Sequence, residues 1–299
     1  MSSPSRNPAF MACVFTFAVA CVFASVASAQ TTRPGTLVVV SDPNNLPFSN
    51  EKEEGFENRL AHLVAQDLDL KLEYHWRATR RGYWRESIKA GQADLVIGVP
   101  RKLDMALTTD PYYRSTYVFV TRSNTTISSL DDARLKTLRI GIPLTGENNP
   151  PPAIALGQRG IIDNVTGFTV YGDYAQSNPA SKLIAAVAHN DIDAAIAWGP
   201  PAGYFAKRFN LAVAPVTPQI DAGGVTMAFD VSMGVAKKNT PLRDQLNTIL
   251  KNRRAEIDKI LDDYSIPRAA SAPPKTAKLE RFDPDKENTQ NIEVPGCCD

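Results

Sequence analysis

The sequence predicts an α/β fold of two lobes, each a mostly parallel sheet flanked by helices, with a two-strand hinge between them. The first observation is that short apolar runs rich in β-branched residues, beginning with Thr36–Ser41, alternate with segments of helical periodicity. The second is that this pattern stops at residues 122–125 and then starts again. The third is an alternating apolar stretch at residues 225–236 that leads into a long amphipathic helix, which predicts a return to the first lobe.

The first lobe is predicted from residues 35–122 together with residues 218–266. Strands and helices alternate in it, so the connections are crossovers and the sheet is mostly parallel. The predicted elements are a strand at 36–41, a polar loop at 42–55, a helix at 56–68, a strand at 71–76, a helix at 82–91, strands at 93–98, 117–121 and 225–236, and one long helix from Thr240 to Tyr264.

The second lobe is predicted from residues 123–217. Its predicted elements are a helix start at 129–132, a strand at 138–142, a loop with three consecutive prolines at 146–152, a strand at 168–171, a helix at 181–189, a strand at 192–198, a helix near 204–209 and a strand at 211–215. Ligands of such sheets bind where the strands end at their carboxyl termini, so the binding site is expected between the lobes.

The first 29 residues are predicted to be a cleavable signal peptide. Arg6 is their only charge, a mainly apolar run follows it, and Ala27-Ser28-Ala29 forms an A-x-A site that predicts cleavage after Ala29. The apolar run is too short for a good membrane span, so no span is expected after cleavage. The net charge of +1 gives no electrostatic case for a nucleic-acid partner. The sequence therefore predicts an exported protein.

Residues 267–299 are predicted to form an extended, proline-rich and charged tail. Their few large apolar side chains cannot build a core, so the tail either crosses the body as a strap or becomes ordered on a partner. Cys297 and Cys298 stand next to each other near the end. They are either terminal thiols or a vicinal disulfide, or else a pair that binds a metal or forms a mixed disulfide with a partner.

One stretch carries a family resemblance. The run ADLVIG at residues 93–98 is followed by TDPYY at residues 109–113 and by a further strand. This arrangement resembles the signature of type II periplasmic solute-binding proteins, and the resemblance extends over most of residues 36–266. It implies the two-lobed periplasmic-binding-protein fold, in which the loop between these motifs lines a ligand cleft.

The sequence departs from the amino-acid-binding members of that family. The resemblance to those members implies a clamp of a threonine and an arginine for the ligand carboxylate. In this chain, Arg101 and Lys102 are the only cations between Asp94 and Asp110, and the threonine partner is absent. It also implies an aspartate for the ligand ammonium, at the position where this chain has Trp198. A Thr-Gly-Glu loop at residues 145–147 is retained. The prediction is that this is not a free amino-acid receptor.

The predicted binding cleft is rich in aromatic and arginine side chains, which suit a flat anionic ligand or a protein segment. Its residues are Asn45, Phe48, Trp76, Arg80, Arg81, Arg101, Tyr112, Tyr113, Thr145, Gly146, Glu147 and Trp198. The alternative is that Trp76, Tyr112 and Trp198 are ordinary core or inter-lobe packing.

As a whole, the chain resembles MxaJ/XoxJ-type proteins, the quinoprotein dehydrogenase-associated periplasmic binding proteins of methylotrophic bacteria. The resemblance implies a non-catalytic accessory protein that assists maturation or activation of a pyrroloquinoline-quinone (PQQ) methanol or alcohol dehydrogenase, with that dehydrogenase as partner. One alternative is a transporter-linked receptor for a small anionic or aromatic solute. Another is a cyclohexadienyl dehydratase, for which Glu147 is the candidate acid unless it only favours a helix N-terminus. No cofactor or metal motif occurs in the sequence.

Overall fold

The computed structural model describes residues 31–80, 82–144, 149–170 and 178–270. The predicted signal peptide, most of the tail and the two adjacent cysteines lie outside these ranges. The described strands are β1 Thr36–Ser41, β2 Asn44–Asn45, β3 Ser49–Asn50, β4 Lys71–Trp76, β5 Leu95–Pro100, β6 Leu107–Thr108, β7 Tyr113–Thr121, β8 Ile140–Leu144, β9 Val165–Thr169, β10 Ala194–Trp198, β11 Ala212–Pro215 and β12 Ala228–Val235. The described helices are α1 Phe56–Asp67, α2 Pro151–Gln158, α3 Ser181–Ala188, α4 Gly199–Phe209, α5 Thr240–Asn252 and α6 Arg254–Asp263.

The main sheet has two halves that meet at β7 and β12. The strand order is β4-β1-β5-β12-β7-β10-β8-β9, with β6 on β12 and β11 on β7. The outer strands of each half are parallel, whereas β7 and β12 run antiparallel to their neighbours. The first residues of β7, Tyr113–Thr116, pair with β12, and the later ones pair with β10 and β11. These two strands therefore carry the connection between the halves.

Each half of the sheet is covered on both faces, which explains why its inner strands are continuously apolar. In β1, Leu37 and Val39 pack toward α1, α5 and α6, whereas Val38 and Val40 pack on the segment at residues 82–91. In the second half, α3 and α4 cover one face and α2 the other. No helix in the described ranges combines the length and apolar character needed to cross a membrane.

The segment at residues 82–91 was predicted to be a helix and is instead a run of turns. Gly82 and Gly91 both have a left-handed backbone, with φ of 89° and 68°, so the helical path is interrupted at each end. Trp84 and Ile88 fix the segment because they are buried on the face of β1 and β5. The burial of Trp84 and Ile88 thus comes from packing on the sheet and not from a regular helix.

Two further predictions about helices were wrong. The prolines at 150–152 were assigned to a loop, but α2 begins at Pro151. Proline is compatible with the first turn of a helix, because the backbone N–H groups of that turn have no partner within the helix and the missing N–H of proline costs nothing there. The long C-terminal helix is two helices that meet at Arg253, whose guanidinium contacts Asp67 of α1 at 2.5–3.2 Å.

The first residues of the predicted tail lie against the body. The Ser115 hydroxyl donates to the carbonyl of Pro267 at 2.6 Å, and the Ala269 N–H donates to the carbonyl of Arg114 at 2.9 Å. Arg268 contacts carboxylates of α6. The first residues after α6 therefore lie along the start of β7.

Candidate functional site

A cavity of about 520 Å³ lies between the two halves of the sheet. The first half contributes the end of β5, the loop after β1 and the first turn of α1, and the second half contributes the ends of β8, β9 and β10. These are the carboxyl ends of parallel strands, which is where α/β sheets bind ligands. The cavity is therefore the candidate functional site.

Aromatic side chains from both halves line this cavity. Trp198, the last residue of β10, has its ring centroid 5.5 Å from that of Tyr117 on β7 and 5.9 Å from that of Phe229 on β12. Both contacts are edge-to-face, so the two rings hold the indole in place while it stays half-buried. Phe48 and Tyr113 line the wall formed by the first half.

Glu57 places a carboxyl group at the wall of the cavity. The residue is 9% exposed, and its Oε1 atom occupies the space over Gly98 on β5, 2.1 Å from where a Cβ atom would stand. Among the described residues, no side chain or backbone group hydrogen-bonds to this carboxyl. Burial, followed by the charge of Asp42, raises the pKa of Glu57 well above its usual value.

The other acids of the cavity wall are already partnered. The carboxylate of Asp42 accepts from the N–H of Asn44 at 2.9 Å and from the N–H of Thr79 at 2.6 Å. Asp230 pairs with Arg114 at 2.9 Å, and the more exposed Arg101 approaches it to 3.7 Å. In the described part of the chain, no lysine, arginine or histidine lines the cavity. The described part of the wall is thus apolar and acidic.

A profile of bacterial extracellular solute-binding proteins, family 3, matches residues 37–266. The chain belongs to this family. The matched residues contain every described strand except the first residue of β1, and they contain all six described helices, so the family assignment covers both halves of the sheet.

Similar solved structures agree with the fold. The periplasmic binding protein XoxJ from Methylobacterium extorquens AM1 is 35% identical, with a TM-score of 0.65, over 79% of this chain and 100% of that chain. MxaJ from Methlophaga aminisulfidivorans MPT is 26% identical, with a TM-score of 0.69, over 78% and 100%. An ancestral cationic amino acid solute-binding protein, AncCDT-1, shares the fold at 19% identity and a TM-score of 0.61, over 78% and 97%. The predicted type II periplasmic-binding-protein fold is confirmed.

A curated relative is also similar over most of its length. Protein MoxJ from Methylorubrum extorquens AM1 is 28% identical over 257 residues, which are 80% of this chain and 84% of that protein. Together with XoxJ and MxaJ, it confirms the predicted resemblance to MxaJ/XoxJ-type proteins.

In this family 3 protein, four of the predicted cleft residues line the cavity: Asn45, Phe48, Tyr113 and Trp198. Asn45 ends the short strand β2, Phe48 immediately precedes β3, Tyr113 begins β7, and Trp198 ends β10. They come from three parts of the chain, and the meeting of β7, β10 and the loop after β1 brings them together.

Two of the predicted aromatic residues lie elsewhere. Tyr112 is 1% exposed and belongs to the core of the first half, so its ring does not reach the cavity. Trp76, at the end of the edge strand β4, stacks on Tyr74 with ring centroids 4.5 Å apart and does not line the cavity. The positions of both residues thus agree with the alternative given above, that these rings serve in packing and not in the cleft.

The predicted cationic residues are not in the cavity wall as described. Arg80 is exposed, and Arg101 is an exposed partner of Asp230. Arg81, Thr145, Gly146 and Glu147 lie outside the described residues. The arginine-rich surface proposed for an anionic ligand therefore stays a prediction, while the described wall is acidic.

Sequence reasoning missed Glu57, Gly98, Tyr117 and Phe229. Glu57 was placed inside a helical pattern, and nothing local indicates that its carboxyl turns away from solvent. A glycine within an apolar strand, as at Gly98, is the one signal that was available, because it often marks a close approach of other atoms.

We expect Glu57→Gln to raise the melting temperature (Tm) at pH 8 by about 2–4 °C, the change that ~1 kcal/mol produces in a domain of this size. Because the pKa of Glu57 is raised in the folded state, its contribution to stability is fully present below the unfolded-state pKa and is lost as the pH rises through the folded-state pKa. The Tm values of the wild type and the variant should therefore converge near pH 4. Calorimetry from pH 4 to 8 measures this difference.

The control for this prediction is Glu51→Gln, because Glu51 is an exposed acid in the preceding loop. Its Tm should follow the wild type at every pH. A Tm of Glu57→Gln below that of the wild type at pH 8 would contradict the prediction, since it would mean that the carboxylate stabilises the fold.

Proposed function

We propose that this chain is a periplasmic, non-catalytic accessory protein that assists the maturation or activation of a PQQ-dependent methanol or alcohol dehydrogenase. The observation that carries the proposal is the similarity to XoxJ over the whole length of that protein. Proteins of the MxaJ/XoxJ type are, by the resemblance stated above, associated with such dehydrogenases. The partner is thus a dehydrogenase subunit, and the cavity between the halves is the surface that binds it.

The composition of the cavity supports a protein segment as occupant. Trp198 stands at the end of β10, where the amino-acid-binding members were expected to have an acid for the ligand ammonium. With Tyr117 and Phe229 behind it, Trp198 offers a fixed aromatic surface that is still half accessible. Aromatic anchors of this kind supply most of the affinity in protein interfaces.

The periplasmic location rests on the family and on the predicted signal peptide. The family is one of extracellular solute-binding proteins, and its relative XoxJ is a periplasmic binding protein. Cleavage after Ala29 stays a prediction, because the segment lies outside the described residues.

A receptor for a small solute is the second candidate, and the size of the cavity favours it. A volume of about 520 Å³ is in the range of small-molecule pockets. The wall formed by Glu57, Asp42 and Asp230 suits a cation or a neutral aromatic solute better than the anionic ligand predicted from sequence. A dehydratase would instead consume prephenate or arogenate, which a direct turnover assay measures.

The experiment that tests the accessory role is a binding measurement between the mature protein and a purified PQQ-dependent methanol dehydrogenase, in its cofactor-free and cofactor-loaded forms. We expect specific binding to at least one form. Trp198→Ala should raise the dissociation constant (Kd) about 30-fold, because removal of an interface anchor costs ~2 kcal/mol or more. Biolayer interferometry with the immobilised accessory protein gives both values.

The matched control is Phe209→Ala, which removes an exposed aromatic ring from α4 outside the cavity. Its Kd should equal that of the wild type. If neither form of the dehydrogenase binds, and a metabolite at a hundredfold excess over its own Kd stabilises the protein by roughly 3 kcal/mol, the chain is a solute receptor.

A further inference from the structure

The carboxyl of Glu57 is not used by the helix that carries it. Glu57 lies in the first turn of α1, where acidic side chains often bind free backbone N–H groups. Here Asn58 does this instead, because its Oδ1 atom accepts from the N–H of Gly55 at 3.0 Å and from that of Asn50 at 3.3 Å. The backbone N–H of Glu57 donates to the carbonyl of Phe48 at 2.9 Å. The Glu57 side chain is therefore left to turn toward the cavity.

The strand opposite is built to admit this carboxyl. Gly98, in the middle of β5, has a left-handed φ of 82°, and any side chain there would overlap Oε1 of Glu57. A residue with a Cβ atom would thus be both strained and in collision. The carboxyl thus lies against the interior of β5, although Glu57 and Gly98 are 41 positions apart in the sequence.

Among the residues that the structure describes, no positive charge contacts this carboxyl. The described titratable groups that interact with it electrostatically are Asp42, Tyr74, Tyr112 and Tyr113. A carboxyl or phenol group is neutral when protonated and negative when ionised, so none of them can supply a positive charge. Two described cations, Arg101 and Arg114, contact an acid of the cavity wall, and that acid is Asp230 and not Glu57. A nearly buried carboxyl without a hydrogen-bond partner is costly in its ionised form, and a cationic ligand would supply the missing partner.

We infer that the carboxyl of Glu57, with Asp42 beside it, forms a subsite for an organic cation, and that the cation is a lysine or arginine side chain of the bound protein partner. The aromatic walls formed by Phe48 and Tyr113 suit the apolar stem of such a side chain, while its charged end reaches the carboxyl. This inference rests on the proposed function for the identity of the partner, but the subsite itself can be tested without the dehydrogenase.

Binding of a cation should be linked to protons. Burial and Asp42 favour the neutral acid in the empty cavity, and a cation favours the ionised form, so binding releases a proton wherever Glu57 is protonated beforehand. Affinity should therefore rise with pH until Glu57 is ionised in the free protein. Among the described groups that act on Glu57 none is cationic, so this release is assigned to Glu57 itself.

The first arm of the test is titration calorimetry of the full mature chain with benzylammonium chloride, and with benzyl alcohol as its neutral isostere. We expect the wild type to bind benzylammonium and not benzyl alcohol, with a heat at pH 6 that depends on the ionisation enthalpy of the buffer. Glu57→Gln should weaken benzylammonium at least tenfold and remove the buffer dependence, whereas Glu51→Gln should change neither. Equal binding by the wild type and Glu57→Gln, or equal binding of the alcohol, would overturn the subsite.

The second arm identifies the source of the cation, with the dehydrogenase as ligand. We expect Glu57→Gln to raise the Kd for the dehydrogenase at least tenfold, and benzylammonium to compete with it. If benzylammonium binding depends on Glu57 but dehydrogenase binding does not, the cation is a free amine and the partner assignment is overturned. If the wild type does not bind the dehydrogenase at all, the proposed function fails, and the calorimetric arm still decides on the subsite.

Discussion

Replacement of Gly55 by alanine is expected to lower the Tm of this protein by about 6–12 °C, which corresponds to ~3 kcal/mol in a domain of this size. A Cβ atom at this position would stand 2.0 Å from the carbonyl oxygen of Phe48 and 2.6 Å from Cα of Ser49. These are backbone atoms, so no side-chain rotation can relieve the overlap. Overpacking of this kind costs ~1–3 kcal/mol by itself.

The backbone at Phe48 cannot move away from the new Cβ atom without breaking hydrogen bonds to α1. Its carbonyl accepts the N–H of Glu57 at 2.9 Å, and the carbonyl of Pro47 accepts the N–H of Phe56 at 2.8 Å. Each such bond contributes about 1 kcal/mol. The same displacement would shift Phe48 in the cavity wall, so weaker binding of the dehydrogenase is expected together with the lower Tm.

Gly157→Ala is the matched control for Gly55→Ala. Gly157 lies within α2 and no atom stands within 4 Å of its missing Cβ. Alanine is favoured over glycine in helices by roughly 0.5–1 kcal/mol, so the Tm should stay constant or rise slightly. A Gly55→Ala variant as stable as Gly157→Ala would mean that the loop after β1 does not lie against α1 as described.

The second large effect is expected at an ion pair in the second half. Arg159, at the end of α2, donates from Nη1 and Nη2 to the two carboxylate oxygens of Asp221 at 2.5 and 2.8 Å. The Asp221 side chain is only 2% exposed. Arg159→Ala would leave this carboxylate buried without its partner, which we expect to cost about 2–3 kcal/mol at pH 7.

The pH dependence gives this prediction a clear sign. The hydrogen bonds from Arg159 hold the pKa of Asp221 below its usual value. The stability that the pair contributes is therefore present above the unfolded-state pKa and is lost as the pH falls through the lowered folded-state pKa. The Tm difference between the wild type and Arg159→Ala should be largest near neutral pH and should shrink as the pH falls below the ordinary aspartate pKa of about 3.9.

Arg134→Ala is the control for Arg159→Ala, since it removes an arginine whose pair with Asp132 lies on the surface. Exposed pairs contribute little, so its Tm should follow the wild type across the pH range. A pH-independent loss of stability in Arg159→Ala would indicate that lost packing, and not the charge pair, is responsible.

Some of the residues that line the cavity could be predicted from the sequence and others could not. Phe48, Asn45 and Trp198 were found because they follow apolar strands, and the carboxyl ends of such strands meet at one edge of a sheet. Tyr112 and Tyr113 could not be distinguished in this way. Their roles depend on the register of β7 against β12, in which Tyr113 lies opposite Val231, and this pairing joins segments far apart in sequence.

By itself the sequence determined the fold class, the approximate positions of most strands, and the apolar stripes of α1, α5 and α6. These follow from local periodicity, because burial on one face repeats at a fixed spacing along a helix or strand. Only the tertiary structure decided that α5 and α6 separate at Arg253, that residues 82–91 form turns, and that the carboxyl of Glu57 lies over Gly98. Each of these depends on contacts between distant segments, which local periodicity does not record.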